Sequence, residues 1–186
     1  MYFTIPSLLI LLHIALSSAL PKKPDDTPKA LLTPQPLNIT TLSANSRRES
    51  TIECWSVAQL EVSTTSGIQG ALVSSLGTPN KLNFFDIPPK FDGGLHNAPV
   101  VQWVYFTGGQ AVISLPTSND TATVQGGPYG LILAADIASV SDIGHTTVYP
   151  SGQPTIGLTI PLANNTLPVH TVLHPGACTA EELRID

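Results

Sequence analysis

Charge, aromatic side chains and cysteine are all scarce in this chain. Of its 186 residues only 11% are charged and 6% aromatic, and there are two cysteines. So little charge means that the surface must be built largely from Ser, Thr, Asn and Gly, which suits an extracellular protein. Basic residues are scarcest. All acidic residues except Asp25 and Asp26 lie from Glu49 onward, where Lys81, Lys90 and Arg184 are the whole basic complement. That balance argues against a nucleic acid or an anionic membrane surface as partner. After the first nineteen residues no apolar run is long enough to cross a bilayer, and no amphipathic helix is evident. No Gly-x-Ser-x-Gly elbow occurs, and Gly126-Gly127-Pro128-Tyr129-Gly130 is too short and wrongly placed for a phosphate loop.

What is present points to the secretory route. Ile5 to Leu16 is a short apolar run, and Ser17-Ser18-Ala19 places small residues where a signal peptidase reads. Residues 1–19 are therefore expected to be a signal peptide. Cys54 and Cys178 bracket the strand-rich region, and an oxidising compartment would let them pair; two free thiols are the alternative. Asn38, Asn119 and Asn164 each open an Asn-x-Ser/Thr glycosylation acceptor, which suggests a eukaryotic source.

Residues 20–49 carry Pro21, Pro24, Pro28, Pro34 and Pro36 without sustained periodicity, and read as a flexible leader. The dibasic Arg47-Arg48 at its end is a candidate processing site, which would make the leader a propeptide; two solvated arginines are the alternative. From residue 50 to 178 the pattern is all-β. Strands are expected over 52–62, 70–76, 81–87, 100–107, 110–115, 121–125, 131–135, 145–149, 155–160 and 169–173. Residues 88–94 read as a loop and Gly108-Gly109 as a hairpin turn. Many short strands with turn residues at spacings near ten read as one β sandwich or barrel with few or no helices. Residues 179–186 form a C-terminal tail.

Alternation along a strand places His96, Ala98, Val100, Gln102, Val104 and Phe106 on one face, and His145, Thr147 and Tyr149 on another. His96, Gln102 and His145 are the candidate site, with Val104, Thr147 and Tyr149 lining its pocket. They suit either metal binding or acid/base chemistry. Trp103 and Tyr105 are expected to point away from the pocket. His170 and His174 are a weaker candidate pair, and Asp92, Asp136 and Asp142 are candidate carboxylates near the histidines, with loop and turn roles as the plainer reading.

The region 86–149 resembles the cupin superfamily. The first cupin motif reads His-x-His, then Glu, then Gly. Here His96 stands at the first histidine, Ala98 replaces the second, Gln102 replaces the glutamate, and Gly109 follows Gln102 at the motif's spacing. Gly127-Pro128-Tyr129-Gly130 with Leu131-Ile132-Leu133 resembles the opening of the second motif, and His145 its histidine. More narrowly, Cys54-Trp55, the run Phe91 to Pro99, Gln102-Trp103-Val104, Gly144-His145 and His170 to His174 resemble a group of small secreted fungal proteins with no agreed activity. The resemblance implies a single-domain cupin-like β barrel or jelly roll over 50–178, and a divalent metal in a typical member. Loss of two ligands, at Ala98 and Gln102, implies weak or no metal binding through His96 and His145. It leaves two expectations: a binding protein for an unidentified small molecule, apolar or carbohydrate-like and with no cofactor, or a small-metabolite isomerase, cyclase, dehydratase or oxygenase. A homodimer remains open.

Overall fold

The computed structural model describes residues 32–184. The expected signal peptide and the first part of the expected leader lie outside the described residues. Twelve strands follow: β1 Gln35–Ala44, β2 Ser50–Val62, β3 Leu72–Val73, β4 Asn83–Ile87, β5 Phe91–His96, β6 Gln102–Gly108, β7 Gln110–Ser114, β8 Thr121–Gln125, β9 Leu131–Ala134, β10 His145–Tyr149, β11 Thr155–Pro161 and β12 Thr171–Pro175. A 3-10 turn covers Ala163–Asn165.

The strands form two sheets, not a closed barrel. The larger runs β12-β2-β1-β9-β6-β11-β4, with β3 attached to β2, and the smaller runs β5-β10-β7-β8. Among the described residues the strand pairs are antiparallel except β1 with β9, which pair in parallel from Thr40↔Ile132 to Leu42↔Ala134, and an isolated parallel bridge joins Ala98 to Ile137.

The larger sheet is buried on both faces at its middle. On one face Leu42, Ile52, Phe106, Ile132 and Ala134 meet Ala111, Ile113, Ala122 and Val124 of the smaller sheet. On the other, Ile39, Trp55, Val57, Trp103 and Leu133 pack beneath Leu76 and Leu162 from the long connections. Double burial explains the unbroken apolar run Leu131 to Ala135, since neither side of β9 faces water. It also bears out the outward turn of Trp103, whose indole Nε1 donates to the Leu76 carbonyl at 2.9 Å.

The sequence reading needs several corrections. The second part of the expected leader is β1, which lies between β2 and β9 with Thr41 and Leu42 almost wholly buried. Of the prolines that suggested a leader, Pro34 and Pro36 sit at its start, and Pro21, Pro24 and Pro28 lie outside the described residues. Pro36 pairs with Gln59 of β2, outside the stretch Thr40 to Leu42 where β9 lies along the other edge, so β1 is an edge strand at that point, where proline is tolerated. Arg47-Arg48 occupies the tight turn from β1 to β2. Arg48 has φ of 62° and is tied to Asp142 and to the Ser139 and Ala138 carbonyls, so cleavage there would not free a separable propeptide.

Residues 91–96, partly read as loop, form the edge strand β5. The strand expected over 70–76 shrinks to the two residues of β3. Gly108-Gly109 is not a hairpin: β6 pairs with β9 and β11, whereas β7 pairs with β8 and β10, so the chain changes sheets there. Gly109 has φ of +79°, and a Cβ on it would strike Thr155, so only glycine makes this crossing without strain. The tail beyond 178 is tied down, with Asn38 Nδ2 donating to the Glu182 carbonyl at 3.0 Å and His174 paired with the Glu182 side chain.

Cys54 and Cys178 form the expected disulfide, which closes 124 residues of chain and holds the C-terminal segment against β2.

Candidate functional site

The site begins with a pairing. Strands β5 and β10 run antiparallel at the edge of the smaller sheet, and His96 and His145 are direct partners in their register. The two imidazole centroids lie 4.5 Å apart with planes inclined by 59°. Gly144, at φ of +87°, lets the chain enter β10 against the His96 carbonyl, which a Cβ would strike. Glycine at this position is thus a condition of the histidine pair.

Gln102 comes from the other sheet. The single inward face expected from His96 to Phe106 is broken, because β5 ends at His96 and residues 97–101 carry the chain across to β6. The two sheets nevertheless bring His96, Ala98, Gln102, Val104, Phe106, His145, Thr147 and Tyr149 to one cavity of about 270 Å³, closed further by Phe85, Ile87 and Ile113. Val100 does not line it. The cavity is somewhat smaller than typical small-molecule pockets of roughly 300–1,000 Å³, and like them has apolar walls with a few polar groups.

Each histidine is oriented from behind. His145 is buried, and its Nδ1 lies 2.7 Å from Oδ2 of Asp136, a carboxylate with no exposed surface. The same oxygen accepts from the Ser50 hydroxyl at 2.7 Å, and Ser50 also meets the Ser141 hydroxyl at 2.8 Å. Asn97, beside His96, donates to the backbone carbonyls of Asp136 and Ser141 at 3.0 Å each. This mesh clamps the connection from β9 to β10 beneath the site. His96 is exposed at the rim, with Nδ1 3.0 Å from the Gly94 carbonyl. Carboxylate and carbonyl oxygens only accept, so both imidazoles carry a proton on Nδ1 and, when neutral, a bare lone pair on Nε2.

The polar groups facing the cavity are unspent. Gln102 is 8% exposed and its side-chain amide has no hydrogen-bond partner among the described residues. The same holds for His145 Nε2 and the Thr147 hydroxyl. The only fully buried side-chain atoms without partners among the described residues are Asn38 Oδ1 and Asp136 Oδ1, so these groups are not sealed in protein and open onto the cavity. Burial pushes the Tyr149 hydroxyl above its ordinary value of 10.0, which keeps it a neutral donor.

Of the three candidate carboxylates, Asp136 alone reaches a histidine. Asp92 caps the Gly94 amide at 2.9 Å and Asp142 pairs with Arg48 at 2.6 Å. Local pattern does not distinguish the three; which one meets His145 depends on a loop path that has no local signature. His170 and His174 do not form a site together. His170 stacks on Trp55 at 3.6 Å between ring centroids, and His174 Nε2 pairs with Glu182 at 2.9 Å. Asn119 lies exposed in a loop and Asn164 lies exposed in the 3-10 turn. Asn38 sits in β1 with its amide nitrogen bonded and its amide oxygen buried, so a glycan there conflicts with the fold.

A cupin-type metal centre fits the residues only in part. Back-side anchoring of both Nδ1 atoms is how metal-binding imidazoles are oriented. The forward set, two Nε2 atoms and one amide oxygen, is one ligand short and wholly neutral, because Ala98 supplies no donor and Gln102 no charge. That set does not match a divalent cation's preference for anionic or four-fold ligation. Elsewhere among the described residues, one grouping places three ligand types within 4.8 Å, namely Cys54, His174 and Glu182. The Cys54 sulfur there is already committed to the disulfide. Comparison with models of known protein families and with curated proteins returned no match.

Proposed function

We propose that this is a secreted, cupin-like protein that binds a small molecule in the cavity between β5, β6 and β10, with His96, Gln102 and His145 as its polar contacts. The observation that carries the reading is the Gln102 amide, nine-tenths buried, unpartnered and opening onto a cavity whose other walls are mainly apolar. An amide that opens onto a mainly apolar cavity is a polar handle for a ligand, and each hydrogen bond that a ligand makes to it contributes about 0.5–1.5 kcal/mol net. The disulfide and the N-terminal apolar run support passage through an oxidising secretory compartment.

The test is a ¹H–¹⁵N spectrum of the protein, expressed through a eukaryotic secretory host, titrated with a library of small apolar fragments. Binders are expected to shift the Gln102 side-chain amide and Thr147, and Gln102→Leu is expected to weaken them. Fragments that shift only residues away from the cavity would refute the reading. Recovery in the medium with a start near Leu20 is the expected sign of secretion.

A catalytic reading has one specific observation behind it, the Asp136–His145 pair. A buried carboxylate behind an imidazole is the arrangement of a general base, with His96 and Gln102 beside it to orient a substrate oxygen. On that reading the protein is a small-metabolite isomerase, cyclase, dehydratase or oxygenase, and turnover is expected to fall with His145→Gln while ligand affinity changes less.

A further inference from the structure

We infer that the cavity selects a ring-sized, mainly apolar molecule carrying two neighbouring hydroxyl donors, a catechol-like ligand, and that Asp136 is the positioning residue that sets this preference. The inference rests on the binding role proposed above and names the chemistry that the site would take.

Three observations lead to it. The two histidines are register partners with rings 4.5 Å apart, and both are held from behind by oxygens that accept only. Each of two imidazoles packed against one another therefore offers an Nε2 lone pair that no protein donor among the described residues takes up. A ligand matching them must bring two donors on nearby atoms. Behind that polar edge the walls are Phe85, Val104, Phe106 and Ile113, and the space of about 270 Å³ suits a small ring better than an extended chain. The Gln102 amide nitrogen and the Thr147 hydroxyl can donate to the remaining lone pairs of the two hydroxyl oxygens. An acceptor-only ligand, a carboxylate or an ether, leaves both imidazoles unpaired when they are neutral.

Asp136 matters because it fixes which nitrogen of His145 is bare. The carboxylate cannot donate, so the proton stays on Nδ1. In Asp136→Asn the amide is able to donate to Nδ1 instead, which moves the ring proton to Nε2 and turns an acceptor into a donor.

The probes are catechol, 2-methoxyphenol and 1,2-dimethoxybenzene, which bring two, one and no donors on the same ring. Each is titrated at neutral pH with and without EDTA, while long-range ¹H–¹⁵N spectra report the tautomers of His96 and His145. The expected result is an Nδ1–H form at both residues, and affinity that falls by about tenfold for each donor blocked, one unmade hydrogen bond per step. In Asp136→Asn the Nε2–H form of His145 appears, catechol weakens by about tenfold and dimethoxybenzene gains. His96→Ala, at an exposed strand end where folding tolerates the change, lowers catechol affinity by a similar factor and provides the check if Asp136→Asn is too unstable to assay.

An Nε2–H tautomer at His145 in the unsubstituted protein overturns the inference, as does equal binding of the three probes. If that equal binding still shifts Gln102, the cavity remains a binding site and only the donor preference falls. If no probe shifts Gln102 or Thr147, the binding role falls with it. A His145 that keeps its Nδ1 proton in Asp136→Asn removes Asp136 as the positioning residue. Catechol binding abolished by EDTA assigns the lone pairs to a metal and refutes direct recognition.

Discussion

Replacing Asp136 by alanine tests the buried mesh under the site most directly. Its Oδ2 takes two short hydrogen bonds, from Ser50 and from His145, both at 2.7 Å, and all three residues are buried. Removing the carboxylate strands the His145 Nδ1–H and the Ser50 hydroxyl. Leaving a buried donor unpaired costs about 1–3 kcal/mol for each of the two. Asp136 Oδ1, however, has no hydrogen-bond partner among the described residues, so the substitution also relieves an unpaired buried oxygen. The loss is therefore expected toward the low end of the combined cost, about 3 kcal/mol.

Ser50→Ala deletes one hydroxyl bonded to a carboxylate and is expected to cost about 1.5–3 kcal/mol. The two changes share one bond, so the double variant is expected to fall short of additivity by about 1–2 kcal/mol. Urea denaturation with the disulfide intact measures all three, and equal slopes are required for the comparison to hold. A cost below about 1 kcal/mol for Asp136→Ala would show that the carboxylate does not hold the mesh. Additivity within about 0.5 kcal/mol would show that Ser50 and Asp136 do not act together.

The remaining predictions concern the clasp, the hinge glycine, the C-terminal anchor and metal. Cys54→Ser with Cys178→Ser, or reduction, is expected to cost up to about 4–5 kcal/mol in the chain-entropy model, read as a lower melting temperature with reductant than without. Gly144→Ala forces an alanine to φ of +87° against the His96 carbonyl; it should destabilise by more than the ordinary 1–2 kcal/mol left-handed penalty and shift the ring resonances of both site histidines. At the C-terminal anchor, the Pro175 carbonyl and then Glu182 raise the His174 pKa above 6.5, while hydrogen bonds from Thr179 and then His174 lower that of Glu182 below 4.5. The histidine contribution is then full below about pH 6.5 and is lost as pH rises through its raised value, and the glutamate contribution is full above about pH 4.5 and is lost as pH falls through its lowered value. Hydrogen exchange around residues 179–184 should accordingly be slowest between those limits, and Glu182→Gln should flatten the profile. Equilibrium dialysis against zinc or manganese is expected to leave sub-stoichiometric metal, whereas one tightly held ion lost in His96→Ala would contradict the reading of the ligand set.

Much of this protein is legible without coordinates. Alternation in Thr121 to Gln125 and His145 to Tyr149, the unbroken run Leu131 to Ala135 and the turn residues between them place those strands, because side-chain period and β-propensity are local properties. The same locality marks His96, Gln102 and His145 as unusual and lets the two cysteines be paired, since only two exist. What local pattern does not carry is which strand lies beside which. Proline near Gln35–Ala44 looks like a leader until β9 is seen to leave that part of the strand's edge open. Gly108-Gly109 looks like a hairpin until β6 and β7 are found in different sheets. Asp136 is one aspartate among several until the loop folds it behind His145. Residue types and spacings determine the strands and the chemistry that they carry. Only long-range pairing, which depends on burying both faces of the larger sheet at once, decides that two histidines and an amide from separate sheets share one cavity.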